Sequence, residues 1–254
     1  MLNFLLVLLA FQFPADSLQL AIADHEFAVQ NYSRSRAVYD SILATSKDSA
    51  VVLWKLARTC ICEGDISSPQ KKIGLYYQAK RFADRSVRAD SLSSDGHTWR
   101  AISTGDIAMF EGGEKKVQLC RIVKREIDRA LVLNINNPLA YSILGSFYKA
   151  LGDVSWIERQ LAYVFLGGLP DGGYDQSVIA FKKAIALAPD VIRNHYELGK
   201  VYMSQDKDVE AGIEFQRTLL LPIVVGMDHE MQRSAIGLIE ELKQKHPDES
   251  RAEK

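Results

Sequence analysis

Apolar residues recur along this chain with the spacing of one face of an α-helix, and no segment alternates apolar and polar residues as a strand would. The pattern predicts five helix pairs, and prolines stand between several of the helices, where they do least damage. The pairs begin near residues 16, 50, 94, 138 and 192. A closing helix is predicted from about residue 228 to residue 245, so the protein is expected to be all-α.

The clearest repeating unit lies between residues 192 and 222. Each of its two helices carries a small residue that lets the backbones approach, and aromatic residues fill the space beside it. The residues that carry this pattern are Leu198, Gly199, Tyr202, Ala211, Phe215 and Pro222. This is the tetratricopeptide pattern, so the predicted fold is an α-solenoid of about five tetratricopeptide-like helix pairs with a C-terminal capping helix.

The fourth pair has an insertion between its helices. Its two small residues, Gly145 and Ser177, stand 32 positions apart, whereas the equivalent residues of the last pair stand 12 apart. About 20 extra residues therefore separate the two helices of the fourth pair. The second and third pairs also have about ten extra residues each. The sequence leaves the segments 63–72 and 111–117 unassigned, and one interpretation is that they are long interhelical turns.

The insertion in the fourth pair is predicted to contain a helix of its own. Ser155 and Glu158 form a capping box at its start, and Gly167 and Gly168 end it. The simpler interpretation is that this helix packs across the solenoid and widens its core. The functional interpretation is that its aromatic residues form part of a binding surface. Those aromatic residues are Trp156, Tyr163 and Phe165.

The first 15 residues differ from the rest of the chain. Residues 4–13 form an apolar run broken only by Gln12, which suits the core of a signal peptide and is too short for a bilayer span of roughly 20 apolar residues. We therefore expect a signal peptide or an uncleaved N-terminal anchor at 1–15, the solenoid at 16–245 and a charged tail at 246–254. The expected location is outside the cytoplasm, with membrane attachment through an uncleaved N-terminal segment as the alternative.

Composition and motifs argue for binding rather than catalysis. The 31 Lys and Arg residues nearly balance the 32 Asp and Glu residues, and no basic stripe predicts a nucleic-acid partner. The five histidines are scattered over different repeats, so each is interpreted as a surface or interhelix residue. No metal-binding or nucleophile motif occurs. The sequence therefore predicts a protein that is not an enzyme and that needs no cofactor or metal.

A concave groove is the predicted binding site, because the first helices of such an array present their inner positions along one surface. Aromatic rings beside cations suit a peptide carboxylate, or an anionic head group beside an acyl chain. The predicted groove residues are Trp54, Arg58, Ile102, Lys149, Arg193, Tyr196 and Lys200. For any one of them the other interpretation is a residue that fills the space between helices.

The predicted function is a scaffold that binds a protein or peptide partner in this groove. The alternative is that a lipid or small apolar ligand binds in a cavity between the inserted helix and the groove, which would use the aromatic residues of the insert.

The stretch from residue 144 to residue 202 resembles the regulator of microtubule dynamics family. The likeness lies in a Ser-Trp insert, a Gly-Leu-Pro turn and a Leu-Gly-Lys helix, and it covers roughly residues 30 to 225. The residues that carry it are Ser155, Trp156, Gly168, Pro170, Tyr174, Phe181, Ala184, Leu198, Gly199 and Lys200. The resemblance implies a tetratricopeptide domain, and a lipid-binding role has been proposed for that domain in one member. Animal members are described at microtubules, spindle poles and organelle contact sites; the signal-like start of this chain suggests a bacterial relative, to which the microtubule role is not carried over.

Overall fold

Every regular element of the described residues is an α-helix. The computed structural model describes residues 15–45 and 48–245, so residues 1–14 of the predicted signal peptide and the charged tail lie outside the described part. No helix of the described residues is both long and apolar enough to cross a membrane. The helices are α1 (Ala15–Ala28), α2 (Tyr32–Thr45), α3 (Ala50–Asp65), α4 (Pro69–Ala89), α5 (Ser94–Ala108), α6 (Gly113–Leu133), α7 (Pro138–Gly152), α8 (Trp156–Leu166), α9 (Tyr174–Leu187), α10 (Ile192–Ser204), α11 (Asp208–Leu220) and α12 (Gly226–Lys245).

These helices pack in the predicted pairs. Helix α1 packs on α2, α3 on α4, α5 on α6, α7 on α9 and α10 on α11, and α12 closes the array against α11 and α10. The first helices of the second to fifth pairs begin at 50, 94, 138 and 192, as the sequence predicts. Helix α8 lies outside this pairing and touches mainly α6. The five pairs and the closing helix are therefore confirmed.

Two glycines allow close contacts between paired helices. A Cβ atom built on Gly145 would lie 2.7 Å from the ring of Phe181, and one built on Gly199 would lie 2.6 Å from the ring of Phe215. Both rings are fully buried. A side chain at either glycine would collide with a ring that has no free space to move into, which explains why the repeat has a small residue at this position.

The extra residues of the second and third pairs lengthen helices instead of forming long turns. Helices α4 and α6 have 21 residues each, whereas the corresponding helices α2 and α11 have 14 and 13. Pro69 stands in the first turn of α4, where a missing amide hydrogen is harmless. The sequence left 63–72 and 111–117 unassigned, and the structure shows that they are not long interhelical turns, because most of these residues are helical.

Two buried histidines tie the helices of a pair together. The His97 Nδ1 atom lies 2.7 Å from the Glu126 carboxylate, and Nε2 lies 3.1 Å from the Ser91 carbonyl oxygen. The last pair repeats the arrangement, with the His195 Nδ1 atom 2.7 Å from the Glu214 carboxylate. Each histidine is the fourth residue of its first helix. The interhelix interpretation of these two histidines is therefore confirmed.

The His195 pair makes stability depend on pH. Its Nε2 atom faces the Pro189 carbonyl oxygen at 2.9 Å, so both ring nitrogens face groups that only accept hydrogen bonds. Burial opposes the imidazolium charge, but the bonds to Glu214 and Pro189 outweigh it and raise the pKa of His195 above its ordinary value of 6.5. The stabilisation is therefore fully present below that value and is lost as the pH rises through the higher pKa of the folded protein.

We expect the difference in unfolding free energy between the wild type and His195→Gln to shrink as the pH rises from mildly acidic to alkaline. Urea denaturation at a series of pH values measures this difference. A difference that is constant with pH would show that His195 does not carry the charge.

The two ends of the array touch each other. The amide of Gly226, the first residue of α12, donates a hydrogen bond to the hydroxyl oxygen of Tyr32 in α2 at 3.0 Å. The same glycine packs so closely on Ile66 that a Cβ atom would lie 2.8 Å from that side chain. Asp228 holds this turn by accepting hydrogen bonds from the amides of Val224 and Val225, both at 2.8 Å. The solenoid therefore curls far enough for its last turn to meet its first repeats.

Candidate functional site

The structure separates the predicted groove residues into two groups. Trp54 and Ile102 are half-buried and pack against the core between the second and third pairs. The Arg58 guanidinium lies 3.7 Å from the ring centre of Phe27 and 3.3 Å from the Asp24 carboxylate. Only about a fifth of the Arg58 side chain is exposed. In this first group the Arg58 cation is therefore already paired with Asp24 inside the protein.

Asp24 balances the charges of the first group. Lys55 and Arg58 both form ion pairs with it, and the Tyr39 hydroxyl donates a hydrogen bond to it. Burial alone would raise the pKa of the Asp24 carboxyl, but the hydrogen bonds and charges of these partners hold it below its ordinary value. Asp24 is therefore ionised at neutral pH, and Arg58 has its counter-charge already in place.

The second group lies on the facing first helices α7 and α10, and we call this surface the α7–α10 groove. Its members from the sequence prediction are Lys149, Arg193, Tyr196 and Lys200. The Arg193 Nη2 atom donates a hydrogen bond to the Ser146 hydroxyl oxygen at 3.1 Å, which connects α10 to α7. The Lys200 ammonium lies 5.1 Å from the ring centre of Tyr196. All four are half-buried, so the structure brings three cations and an aromatic ring onto one partly enclosed surface.

Asp153 lies at the edge of this groove between two of its lysines. Lys149 forms an ion pair with it at 2.8 Å, and the Tyr174 hydroxyl donates a hydrogen bond at 2.7 Å. Burial would raise the pKa of Asp153, but these two partners and the charges of Lys149 and Lys200 lower it. Lys149 is therefore neutralised locally, while Lys200, which pairs with Glu197 of its own helix at 3.4 Å, acts on Asp153 only through space.

Two further acids, Asp65 and Asp106, lie close enough to Arg193 to interact with its charge, and they were not among the predicted groove residues. Burial raises the pKa of Asp65, which accepts a hydrogen bond from the Tyr76 hydroxyl at 2.6 Å. Burial and the charge of Asp65 raise the pKa of Asp106 to about 7, against the attraction of Arg193 and Lys72. The buried Oδ2 atom of Asp106 has no hydrogen-bond partner among the described residues. Near neutral pH Asp106 is therefore partly protonated.

A sequence signal for these acids exists in hindsight. A Gly-Asp pair stands near the end of each of the helices α3, α5 and α7, and its acids are Asp65, Asp106 and Asp153. Because the three helices are neighbouring first helices of the array, their ends lie along one surface. Repeated Gly-Asp pairs in a predicted solenoid could thus have indicated an acidic edge of the groove.

Helix α8 has the predicted ends but not the expected packing. The amide of Ser155 donates to the Glu158 carboxylate at 2.9 Å, which with the reciprocal bond completes the capping box. Gly167 ends the helix in the left-handed region at φ 71°. The interpretation that α8 widens the core was wrong, because Trp156 and Tyr163 are each 72% exposed. The side chain of Phe165 lies outside the described part.

The outward orientation of α8 bears on the ligand-binding alternative. The described apolar side chains of this helix, other than Ala162, point to solvent or lie near the surface. A cavity of about 400 Å³ lies instead beside the groove, at residues 172–176 and Gln205, and its lining is mainly polar. The described part of the chain contains no group of three or more His, Cys, Asp or Glu side chains that could hold a metal ion. The geometry thus favours recognition of polar or charged groups by the groove.

Comparisons with known proteins agree with this architecture. The family model "Regulator of microtubule dynamics protein 1-3" matches residues 19–243. Regulator of microtubule dynamics protein 1 of Bos taurus is 26% identical over 195 residues, which cover 76% of this chain and 62% of that protein. Regulator of microtubule dynamics protein 2 of Homo sapiens is 26% identical over 202 residues, covering 78% of this chain and 48% of that protein. The chain therefore spans only about half to three fifths of the length of these relatives.

Solved structures show the same fold. A thermophilic tetratricopeptide protein of Thermus thermophilus has a TM-score of 0.66 at 18% identity, covering 89% of this chain and 99% of that chain. PilW, a type IV pilus biogenesis factor, has a TM-score of 0.55 at 12% identity and covers 92% of both chains. The predicted α-solenoid of tetratricopeptide type is thereby confirmed. With its family model matched over nearly the whole described length, the chain belongs to the regulator of microtubule dynamics protein 1-3 family.

Proposed function

We propose that this chain is a non-enzymatic tetratricopeptide scaffold that binds a segment of a protein partner in the α7–α10 groove. The observation that carries the proposal is the convergence of Arg193, Lys200 and Tyr196 on one half-buried face of α10. An aromatic ring between two cations provides both apolar contact area and charge recognition at low cost in side-chain entropy. The names of the relatives describe regulators, which supports a binding role over catalysis.

The charges of the groove define the kind of segment that would fit. Arg193 hydrogen-bonds to the neutral Ser146, and its buried Nε atom has no partner among the described residues. A carboxylate, either a peptide C-terminus or an acidic side chain, would supply the counter-charge that Ser146 does not. Asp153 and Asp175 at the polar end of the groove would favour a basic or amide residue nearby. We infer a partner segment of mixed charge with a carboxylate near Arg193 and Lys200.

A peptide library with free C-termini tests this proposal. Arg193→Gln and Lys200→Gln are suitable variants because they remove a cation but add no carboxylate beside Asp65 and Asp106. Peptides selected on the wild type are expected to bind each variant about tenfold more weakly, which corresponds to about 1.4 kcal/mol. Fluorescence anisotropy with labelled peptides measures the dissociation constants.

Arg129→Gln serves as the matched control, because Arg129 is an exposed arginine of α6 outside the groove. Its peptide affinities should equal those of the wild type, and the helical content of all three variants should be unchanged by circular dichroism. If no peptide is selected, or if the selected peptides bind all variants equally, the proposed groove site is wrong.

The location of the protein is independent of the groove. We propose export through the apolar run at residues 4–13, which lies outside the described part of the chain. Because the relatives are longer than this chain, the activity in their names is not assigned to it.

A further inference from the structure

The outer face of α8 is an apolar surface without a charged residue. At about 100° per residue, six exposed positions other than the capping residue Glu158 fill a continuous arc of about 160°. The residues of this α8 face are Trp156, Ile157, Gln160, Leu161, Tyr163 and Val164. The five apolar members are between 52% and 72% exposed. A contiguous apolar surface of this kind on a folded protein indicates an interaction site.

The opposite side of α8 fixes this orientation. Arg159 donates hydrogen bonds to the carbonyl oxygens of Leu151 and Gly172, the latter at 3.2 Å. Arg121 of α6 donates to the carbonyl oxygen of Gly168 at 2.9 Å and to that of Leu166. Two arginines thus satisfy backbone oxygens on either side of the helix. These hydrogen bonds hold α8 with its apolar face outward, and that face does not pack against the rest of the protein.

We propose that the α8 face binds the α8 face of a second copy of this chain, with the two helices antiparallel across a two-fold axis. The first reason is area: the five apolar side chains expose about 600 Å² in each chain, so a pair would bury about 1,200 Å², the lower limit of a stable protein interface. The second reason is composition, because a charge-free apolar face matches a surface of the same kind. This proposal does not depend on the α7–α10 groove.

The arrangement of polar groups fits the two-fold pairing. Gln160 lies at the centre of the α8 face, and its amide both donates and accepts, so it can pair with the Gln160 amide of the second copy. Antiparallel helices also place opposite ends of their dipoles together.

Sedimentation of the full chain over a range of concentrations tests the pairing. We expect a dimer that dissociates on dilution, and we expect Trp156→Ser combined with Val164→Ser to raise its dissociation constant at least tenfold. The matched control is Ile179→Ser combined with Ile213→Ser, since these residues of α9 and α11 are 69% and 53% exposed. The control should dimerise like the wild type. Equal weakening by both double variants would overturn the proposal.

A cysteine at the centre of the face provides a second test. Gln160 is exposed, so Gln160→Cys leaves the packing intact and should give a covalent dimer under a mild added oxidant. Ile179→Cys and the wild type, which retains Cys62 and Cys120, should remain monomeric on a non-reducing gel. A chain that is monomeric at every concentration, or that binds anionic vesicles through Trp156 as a monomer, would overturn the proposal. So would the absence of a Gln160→Cys crosslink.

Discussion

Replacing Phe181 with alanine is expected to lower the free energy of unfolding by about 3–5 kcal/mol. The ring is fully buried and lies against Gly145, where even a Cβ atom would be only 2.7 Å away. The glycine cannot expand to fill the space that the ring would leave, so a cavity would form between α7 and α9. Urea denaturation followed by far-ultraviolet circular dichroism measures the change.

Ile179→Ala is the control for this experiment. Ile179 lies two positions away on the same helix and is 69% exposed, so its replacement should change the stability by less than about 0.5 kcal/mol. A loss of less than about 1 kcal/mol for Phe181→Ala would show that the α7–α9 contact is not a cooperative part of the core. The α7–α9 contact tests whether two helices that the insertion separates in sequence still fold as one pair.

Replacing Glu126 with alanine is expected to cost about 3 kcal/mol at neutral pH, because it leaves the half-buried Arg100 without its counter-charge and the buried His97 without its hydrogen-bond partner. Glu126 is 1% exposed and pairs with His97 at 2.7 Å and with Arg100. The Nε atom of Arg100 already has no partner among the described residues, so the network has no substitute acceptor at that atom. Asp128→Ala, which removes an exposed ion pair with Lys124 on the same helix, should cost less than about 1 kcal/mol.

The contribution of Glu126 has a defined pH dependence. Burial alone would raise the pKa of Glu126, but the hydrogen bonds and charges of Arg100 and His97 lower it below the ordinary value of 4.5. A lowered pKa means that the stabilisation is present above the ordinary value and is lost as the pH falls through the lower pKa of the folded protein. The wild type should therefore approach Glu126→Ala in stability at acid pH. A gap that stays constant into acid would contradict the assignment of the charge to Glu126.

The helix pairs could be predicted because their signal is local and repeated. A small residue and an aromatic residue at fixed spacing, such as Gly199 and Phe215, predict a close helix contact wherever they occur. The same reasoning could not assign the extra residues at 63–72 and 111–117, because a polar segment that contains Gly or Pro fits a turn as well as a helix that begins at the breaker. Only the continued hydrogen bonding of α4 and α6 distinguishes the two.

The orientation of α8 could not be predicted from its apolar residues. Periodicity shows that a helix has an apolar face but not whether that face points inward. Here the direction is set by Arg159 and Arg121, whose acceptors are backbone oxygens that carry no sequence signal.

The sequence also does not show which of the predicted groove cations already has a counter-ion. Arg58 and Arg193 both fit the groove pattern, but Arg58 has a counter-ion at contact distance, Asp24, whereas Arg193 contacts the neutral Ser146.

The contact between Gly226 and Tyr32 changes how this solenoid must come apart. In an open array each repeat depends on its neighbours alone, so the terminal helices fray first and the array melts inward. Here residues 194 positions apart in the chain are hydrogen-bonded to each other, and Gly226 at the start of α12 also packs on Ile66. Closing so long a loop costs chain entropy and slows folding. Once closed, it makes the two ends of the described chain protect each other from fraying, so the array behaves less like a row of separable units and more like a single cooperative ring.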